Sequence, residues 1–164
     1  MADRLSHIDE RGAARMVDVS AKDVTVRTAR ASGRVLVSPE VIELLRGEGV
    51  PKGDVLAIAR IAGIQGTKRT PDLVPLCHPI AVHGVDVDVS VGDDAVEIAA
   101  TVRTADRTGV EMEALTAVSV AALTVVDMVK AVDKAATITD IRVDEKTGGR
   151  SGTWRRPSSA DHVG

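Results

Sequence analysis

Only one aromatic side chain, Trp154, occurs along the chain; Phe and Tyr are absent from all 164 residues. Any core must therefore be filled by Val, Ile, Leu and Ala, whose small volumes favour close approach of one element to another. The apolar share is 44% and the charged share 27%, the balance of a compact single domain rather than a disordered chain. A domain of this length hides roughly 70% of the surface its unfolded chain exposes, so no disulfide or metal staple is required. Cys77 is the single cysteine, which excludes an intrachain disulfide framework and a Cys-rich zinc site and fits a reducing cytoplasm. Neither a signal-type apolar run at the N-terminus nor a later stretch of about 18 uncharged apolar residues is evident, so secretion and membrane spanning are not expected. With no aromatic platform and a net charge of −3, recognition of nucleic acid is not expected either.

Patterning divides the chain into elements. Residues 1–15 are polar and read as a loose arm. Val24 and Val26, then Val35 and Val37, alternate with polar neighbours on either side of Ala31, Ser32 and Gly33, which predicts two short strands or a hairpin. Ser38, Pro39 and Glu40 form a helix start, with a capping hydroxyl, a proline in the first turn and an acid at the positive dipole end. A second helix is predicted after Asp54, with Ala59, Ala62, Gly63 and Gly66 admitting a neighbouring backbone. Prolines at 71, 75 and 79 predict an ordered extended loop without helix. Val85 to Val91 and Val96 to Val102 alternate around Gly92, Asp93 and Asp94, a hairpin signature. The longest helix is expected from Val110 to about Ala135, apolar on every side in its middle, so that a sheet covers one face and a second subunit the other. Ile138, Ile141 and Val143 predict a last strand, and the final dozen residues read as frayed. The order contains βαββαβ, which predicts an α+β, ferredoxin-like domain with an antiparallel sheet and an additional N-terminal section.

Several side chains could carry chemistry. Asp127 and Lys130 are three residues apart on the long helix and meet on one face. Spacing alone describes a surface ion pair; their position among Val125, Val126, Met128 and Val129 also allows a desolvated acid and base. Glu111 and Glu113 occupy the first turn, where acids complement the dipole. Glu113 and Asp127 lie about 21 Å apart along the axis, so one small molecule can touch both only if two chains build the site. Cys77 and His78 sit in the proline-fixed loop, where a histidine can bond a ligand or relay a proton; no metal site of zinc spacing is expected. Arg27, Lys52, Lys68, Lys146 and Arg150 are basic, with Lys52 beside Gly53 and Lys146 and Arg150 flanking Gly148 and Gly149, where backbone N–H groups can reach a phosphate. Neither a P-loop nor a dinucleotide fingerprint is present.

Five stretches carry a resemblance: MVDVSAK from Met16, KGDVLAIARIAGIQGTKRT from Lys52, DLVPLCHP from Asp72, TGVEMEALTAVSVAALTVVDMVKAV from Thr108 and KTGGRSG from Lys146. Together they resemble the molybdenum cofactor biosynthesis protein C family. The resemblance implies a lyase that converts 3′,8-cyclo-7,8-dihydro-GTP into a cyclic pyranopterin monophosphate with loss of pyrophosphate. It implies a homohexamer, a trimer of dimers, with sites at subunit interfaces, and one catalytic domain over 16–153 between an N-terminal arm and a C-terminal tail at 154–164. Asp127 and Lys130 would be the catalytic pair and Lys52 an assistant in proton or phosphate chemistry. Leu76, Cys77 and His78 would line the substrate pocket with Met112 and Glu113, while Lys68, Arg27 and Lys146 hold the triphosphate. Arg150 stands where the family also uses Lys, which preserves a phosphate contact but not a proton transfer. The reaction needs no redox cofactor; Mg²⁺ can assist the leaving pyrophosphate. Two other readings are a non-catalytic oligomeric nucleotide-binding protein and a zinc hydrolase acting through Cys77 and His78.

Overall fold

A computed structural model describes residues 5–47 and 53–158, so Lys52 lies outside the described residues, while the first helix, expected to stop near Gly47 to Gly49, ends at Arg46 with Gly47 as its cap. In chain order the elements are β1 (Thr25–Leu36), α1 (Pro39–Arg46), α2 (Val55–Thr67), α3 (Thr70–Leu73), β2 (Gly84–Val91), β3 (Ala95–Asp106), α4 (Glu111–Val129), β4 (Thr137–Thr147) and β5 (Trp154–Arg155). The strands form one antiparallel sheet in the order β2-β3-β1-β4-β5. Its first four strands have the ferredoxin-like arrangement, in which β1 sits between β3 and β4.

β1 is one continuous strand, not the expected pair. Ala31, Ser32 and Gly33, read as a turn, pair instead with Ala100, Ala99 and Ile98 of β3. Their small size serves packing: a Cβ at Gly33 would come within 2.7 Å of Val118 on α4 and 2.9 Å of Ile141 on β4. The inward positions Ala29, Ala31 and Val35 are nearly fully buried, the period expected of a strand covered on one face.

α1 begins as predicted, with the Ser38 hydroxyl accepting from the N–H of Val41 and Pro39 in the first turn. α2 opens on Asp54, whose carboxylate accepts from Ala57 N–H at 3.1 Å. The proline-rich stretch does contain a helical turn, α3, because Pro71 falls in the first turn where its missing N–H goes unused. The residue pairs of β2 and β3 follow the predicted hairpin, from Gly84 opposite Arg103 to Val91 opposite Val96. Trp154 and Arg155, in the stretch read as frayed, pair with Lys146 and Glu145.

α4 is long and apolar enough by length and composition to cross a membrane, with a mean hydropathy of 1.7 over its most apolar window. It is instead the core helix: Ala114, Ala117, Val118, Ala121, Ala122, Val125 and Val129 are completely buried. One face lies on the sheet. The other, which the sequence assigned to a second subunit, is taken largely by α2, whose Gly63 and Gly66 approach Ala117 and Val120. Leu123, Ile58 and Ile61 remain exposed on this helical layer. The contacts of Gly63 with Ala121 and of Thr67 with Glu113 run in opposite directions, so the end of α2 meets the beginning of α4.

Candidate active site

The beginning of α4 is fixed from below by a buried hydroxyl. Thr67 Oγ1, at the end of α2, reaches the carbonyl oxygens of Gly63 and Glu113 at 3.2 and 3.3 Å. Glu113 turns into the protein and is 2% exposed. Its Oε1 accepts from the Cys77 thiol at 3.8 Å, whereas its Oε2 has no hydrogen-bond partner among the described residues. Burial raises the Glu113 carboxyl above its ordinary range. Burial, followed by the charge of Glu113, pushes the Cys77 thiol up to about 11. At neutral pH Cys77 is therefore a thiol that donates, not a thiolate primed for attack or metal binding. No group of three or more His, Cys, Asp or Glu side chains placed to hold a metal occurs among the described residues.

His78 follows in the same loop, half-buried, with Nε2 2.6 Å from the carbonyl oxygen of Val17. That carbonyl belongs to the segment leading into β1. Asp18 stabilises the segment by accepting the Ser20 N–H at 2.9 Å. Ser20 holds the Asp18 carboxyl below its usual range, and the nearby His78 charge acts in the same direction.

A second feature opens on the other side of Glu111. A cavity of about 760 Å³ is bounded by the segment before β1, the turn before α4 and the glycine-rich loop after β4. Lys22, Arg27, Lys146 and Arg150 line it against two carboxylates, Asp23 and Glu111. Lys146 Nζ lies 3.1 Å from Glu111 Oε1, and Arg27 donates through Nε to the Asp106 carbonyl at 3.0 Å. Gly148 and Gly149 have φ of 87° and 75°, and a Cβ on Gly149 would collide with the Arg27 guanidinium. A Cβ on Gly148 would collide with the Val26 backbone carbonyl, so the loop can follow this path along β1 only with glycine there, whereas at Gly149 the added carbon would displace the movable end of Arg27. An excess of cations beside an irregular glycine loop suits a polyanion, because ionised phosphate oxygens accept strong hydrogen bonds from guanidinium and ammonium groups.

The structure thus gathers Cys77 and Glu113 in direct contact and places Met112 beside them in the first turn of α4, 39% exposed. Leu76 and His78 flank Cys77 in the loop and are half-buried. Arg27 and Lys146 share the cationic cavity. Lys68 is exposed at the end of α2, next to the Thr67 bond to Glu113, and does not line that cavity. Lys52 lies outside the described residues. Asp127 and Lys130 form a 2.7 Å ion pair at the far end of α4. Their side chains are 60% and 59% exposed, so the desolvation allowed by the flanking apolar residues is not found within one chain. Lys22 and Glu111 are cavity residues that sequence reasoning left without a binding role. Lys22 closes the MVDVSAK stretch, and Glu111 is two positions before Glu113, the only signals either one carried.

A model of the MoaC family matches residues 16–149. The cyclic pyranopterin monophosphate synthase of Streptomyces avermitilis is 81% identical over 154 residues, covering 94% of this chain and 91% of that protein. The protein of the same name from a Nocardioides species is 73% identical over 157 residues, covering 94% of this chain and 96% of its own length. Cyclic pyranopterin monophosphate synthase 2 of Mycobacterium bovis is 63% identical over 152 residues, covering 93% of this chain and 91% of its own. With the family pattern running from the segment before β1 to the glycine loop beside Arg27, this chain belongs to the MoaC family.

Proposed function

We propose that the chain is a cyclic pyranopterin monophosphate synthase, a lyase that converts 3′,8-cyclo-7,8-dihydro-GTP to cyclic pyranopterin monophosphate and pyrophosphate in molybdenum cofactor biosynthesis. The observation that carries this reading is 81% identity to a synthase over 94% of the chain. The cationic cavity supports it, since a triphosphate-bearing substrate needs such a surface and pyrophosphate leaves more readily when its growing charge is met by Lys and Arg. In this reading Arg27 and Lys146, joined by Lys22 and Arg150, bind the phosphates; Lys68 adds charge from the end of α2. Leu76, Cys77, His78, Met112 and Glu113 line the pocket for the ring system. Asp127 and Lys130 exchange protons with the carbon, nitrogen and oxygen atoms that rearrange, with Lys52 assisting.

The assembly belongs to the same proposal: a hexamer built as a trimer of dimers, each site shared between chains. The roughly 21 Å along α4 between Glu113 and Asp127 and the exposure of Asp127 and Lys130 support a shared site, because an exposed pair can lose its water only against another chain. A cytoplasmic location fits the free thiol of Cys77. The test is turnover of 3′,8-cyclo-7,8-dihydro-GTP, read as the pterin product and released pyrophosphate. Asp127→Ala and Lys130→Ala should each abolish product while substrate affinity falls less than about tenfold, or ~1.4 kcal/mol. A wild-type protein that binds the nucleotide without converting it would identify a binding module instead.

A further inference from the structure

We infer that the Glu111 carboxylate is a built-in competitor for phosphate: it holds the place on Lys146 that a polyphosphate oxygen must take, so that binding breaks this pair and departure of the ligand restores it. The inference rests on the assignment of the cationic cavity to phosphates and adds a group that opposes them there. Pairing in the sheet sets Lys146 opposite Ala29 of β1, and paired residues share a face. Ala29 is 1% exposed and points inward, so the lysine stem rises on the helix-covered side, toward the beginning of α4. There its Nζ meets Glu111 Oε1 at 3.1 Å, within the cavity lined also by Arg27, Arg150 and Gly149.

Gly109 makes this meeting possible. The three atoms nearest to a Cβ built there all belong to the Glu111 carboxyl, which the added carbon would strike. The φ of Gly109 is not positive, unlike those of Gly148 and Gly149, so the backbone path alone does not call for glycine. What the missing side chain provides is room for the carboxylate to fold back toward Lys146. Neither partner is stranded by the exchange. A phosphate oxygen takes over the ammonium, and the displaced carboxylate remains in the first turn of α4, where Val110 supplies no side-chain cap and the positive end of the dipole favours an acid. With Glu111 charged, four cations of the cavity face two carboxylates; without its charge they face one. Pyrophosphate, once cut from the substrate, is held by the cavity alone, and the returning carboxylate shortens its stay.

Isothermal titration calorimetry with inorganic pyrophosphate tests this without turnover. Glu111→Gln keeps an oxygen that can accept from Lys146 but removes the charge, and should lower the pyrophosphate Kd about tenfold, the order of one neighbouring charge at a partly exposed site. Gly109→Ala keeps the charge but drives the carboxylate off Lys146, so it should also tighten binding, and the double variant should bind no more tightly than Glu111→Gln alone. Unchanged or weaker binding by Glu111→Gln overturns the proposal, because the carboxylate would then be indifferent to phosphate or an aid to it. Additive gains in the double variant overturn it as well, as does a failure of wild type and variants alike to bind pyrophosphate. If Glu111→Gln does not fold, Gly109→Ala against the wild type decides by the same sign. The synthase reading is judged separately, by turnover of the wild type: a protein that converts the substrate while its variants miss these signs loses only the competitor.

Discussion

Cys77 and Glu113 restrain one another, and both can be read by titration. The Glu113 carboxyl is raised in the fold, so its stabilising contribution is complete below the ordinary value of 4.5 and is lost as pH rises through the folded value. Urea midpoints of wild type and Glu113→Gln should therefore diverge as pH rises from about 4.5, with the wild type losing ground. The Cys77 thiol, pushed up to about 11, should be alkylated slowly at neutral pH. In Glu113→Gln the midpoint of the alkylation profile should fall but stay above 9.0, because burial, the larger cause, remains. The residue types of this cluster were legible in DLVPLCHP and GVEMEALT. Their geometry was not, because a first-turn glutamate normally serves the helix dipole in water, and only the docking of α2 through Thr67 turns this one inward. The Asp127 and Lys130 contact was legible from its spacing, whereas its exposure depends on what neighbouring elements leave uncovered.

Among elements, the loop between β4 and β5 has the most direct effect on the site. Gly149 and Gly152 both hold positive φ, 75° and 64°, so alanine strains the backbone at either position. Only at Gly149 would the added carbon also strike Arg27; at Gly152 it meets nothing within 4 Å. Gly149→Ala should raise KM, and the inhibition constant for pyrophosphate, about tenfold (~1.4 kcal/mol), while Gly152→Ala reports the backbone strain alone. Steady-state kinetics with both variants separates the two effects. The hairpin of β2 and β3 and the cap of α1 were readable because local patterning determines them. β1 was misread because Ala31, Ser32 and Gly33 have turn-like composition for a tertiary reason, room for α4 and β4 above Gly33. α3 is hidden by the proline content, because what matters is the helical position each proline takes, and Pro71 falls in the first turn, where proline is tolerated.

For the whole molecule the question is how many chains complete one site. If Asp127 of one chain serves the cavity of another, Asp127→Ala and Arg27→Ala proteins, each inactive alone, should regain activity when co-assembled. Random pairing gives about one quarter of the sites both intact contributions, as expected for a repeated symmetric interface. Specific activity against mixing ratio measures this, and a mixture as inactive as its parents would place all the groups on one chain. The proposal of a shared site starts from distance along one helix, whereas the second face of α4, expected to meet a partner, is covered mostly by α2. Trp154 has its own consequence at this scale. It lies opposite Lys146 in β5, with the Arg156 guanidinium 5.7 Å from its ring centre, and the chain contains no other indole or phenol. Near-ultraviolet emission therefore originates beside Lys146, a residue of the cationic cavity, and is silent about the aliphatic interior. A pyrophosphate titration should alter that emission without any attached dye, giving a label-free readout of loading at the loop.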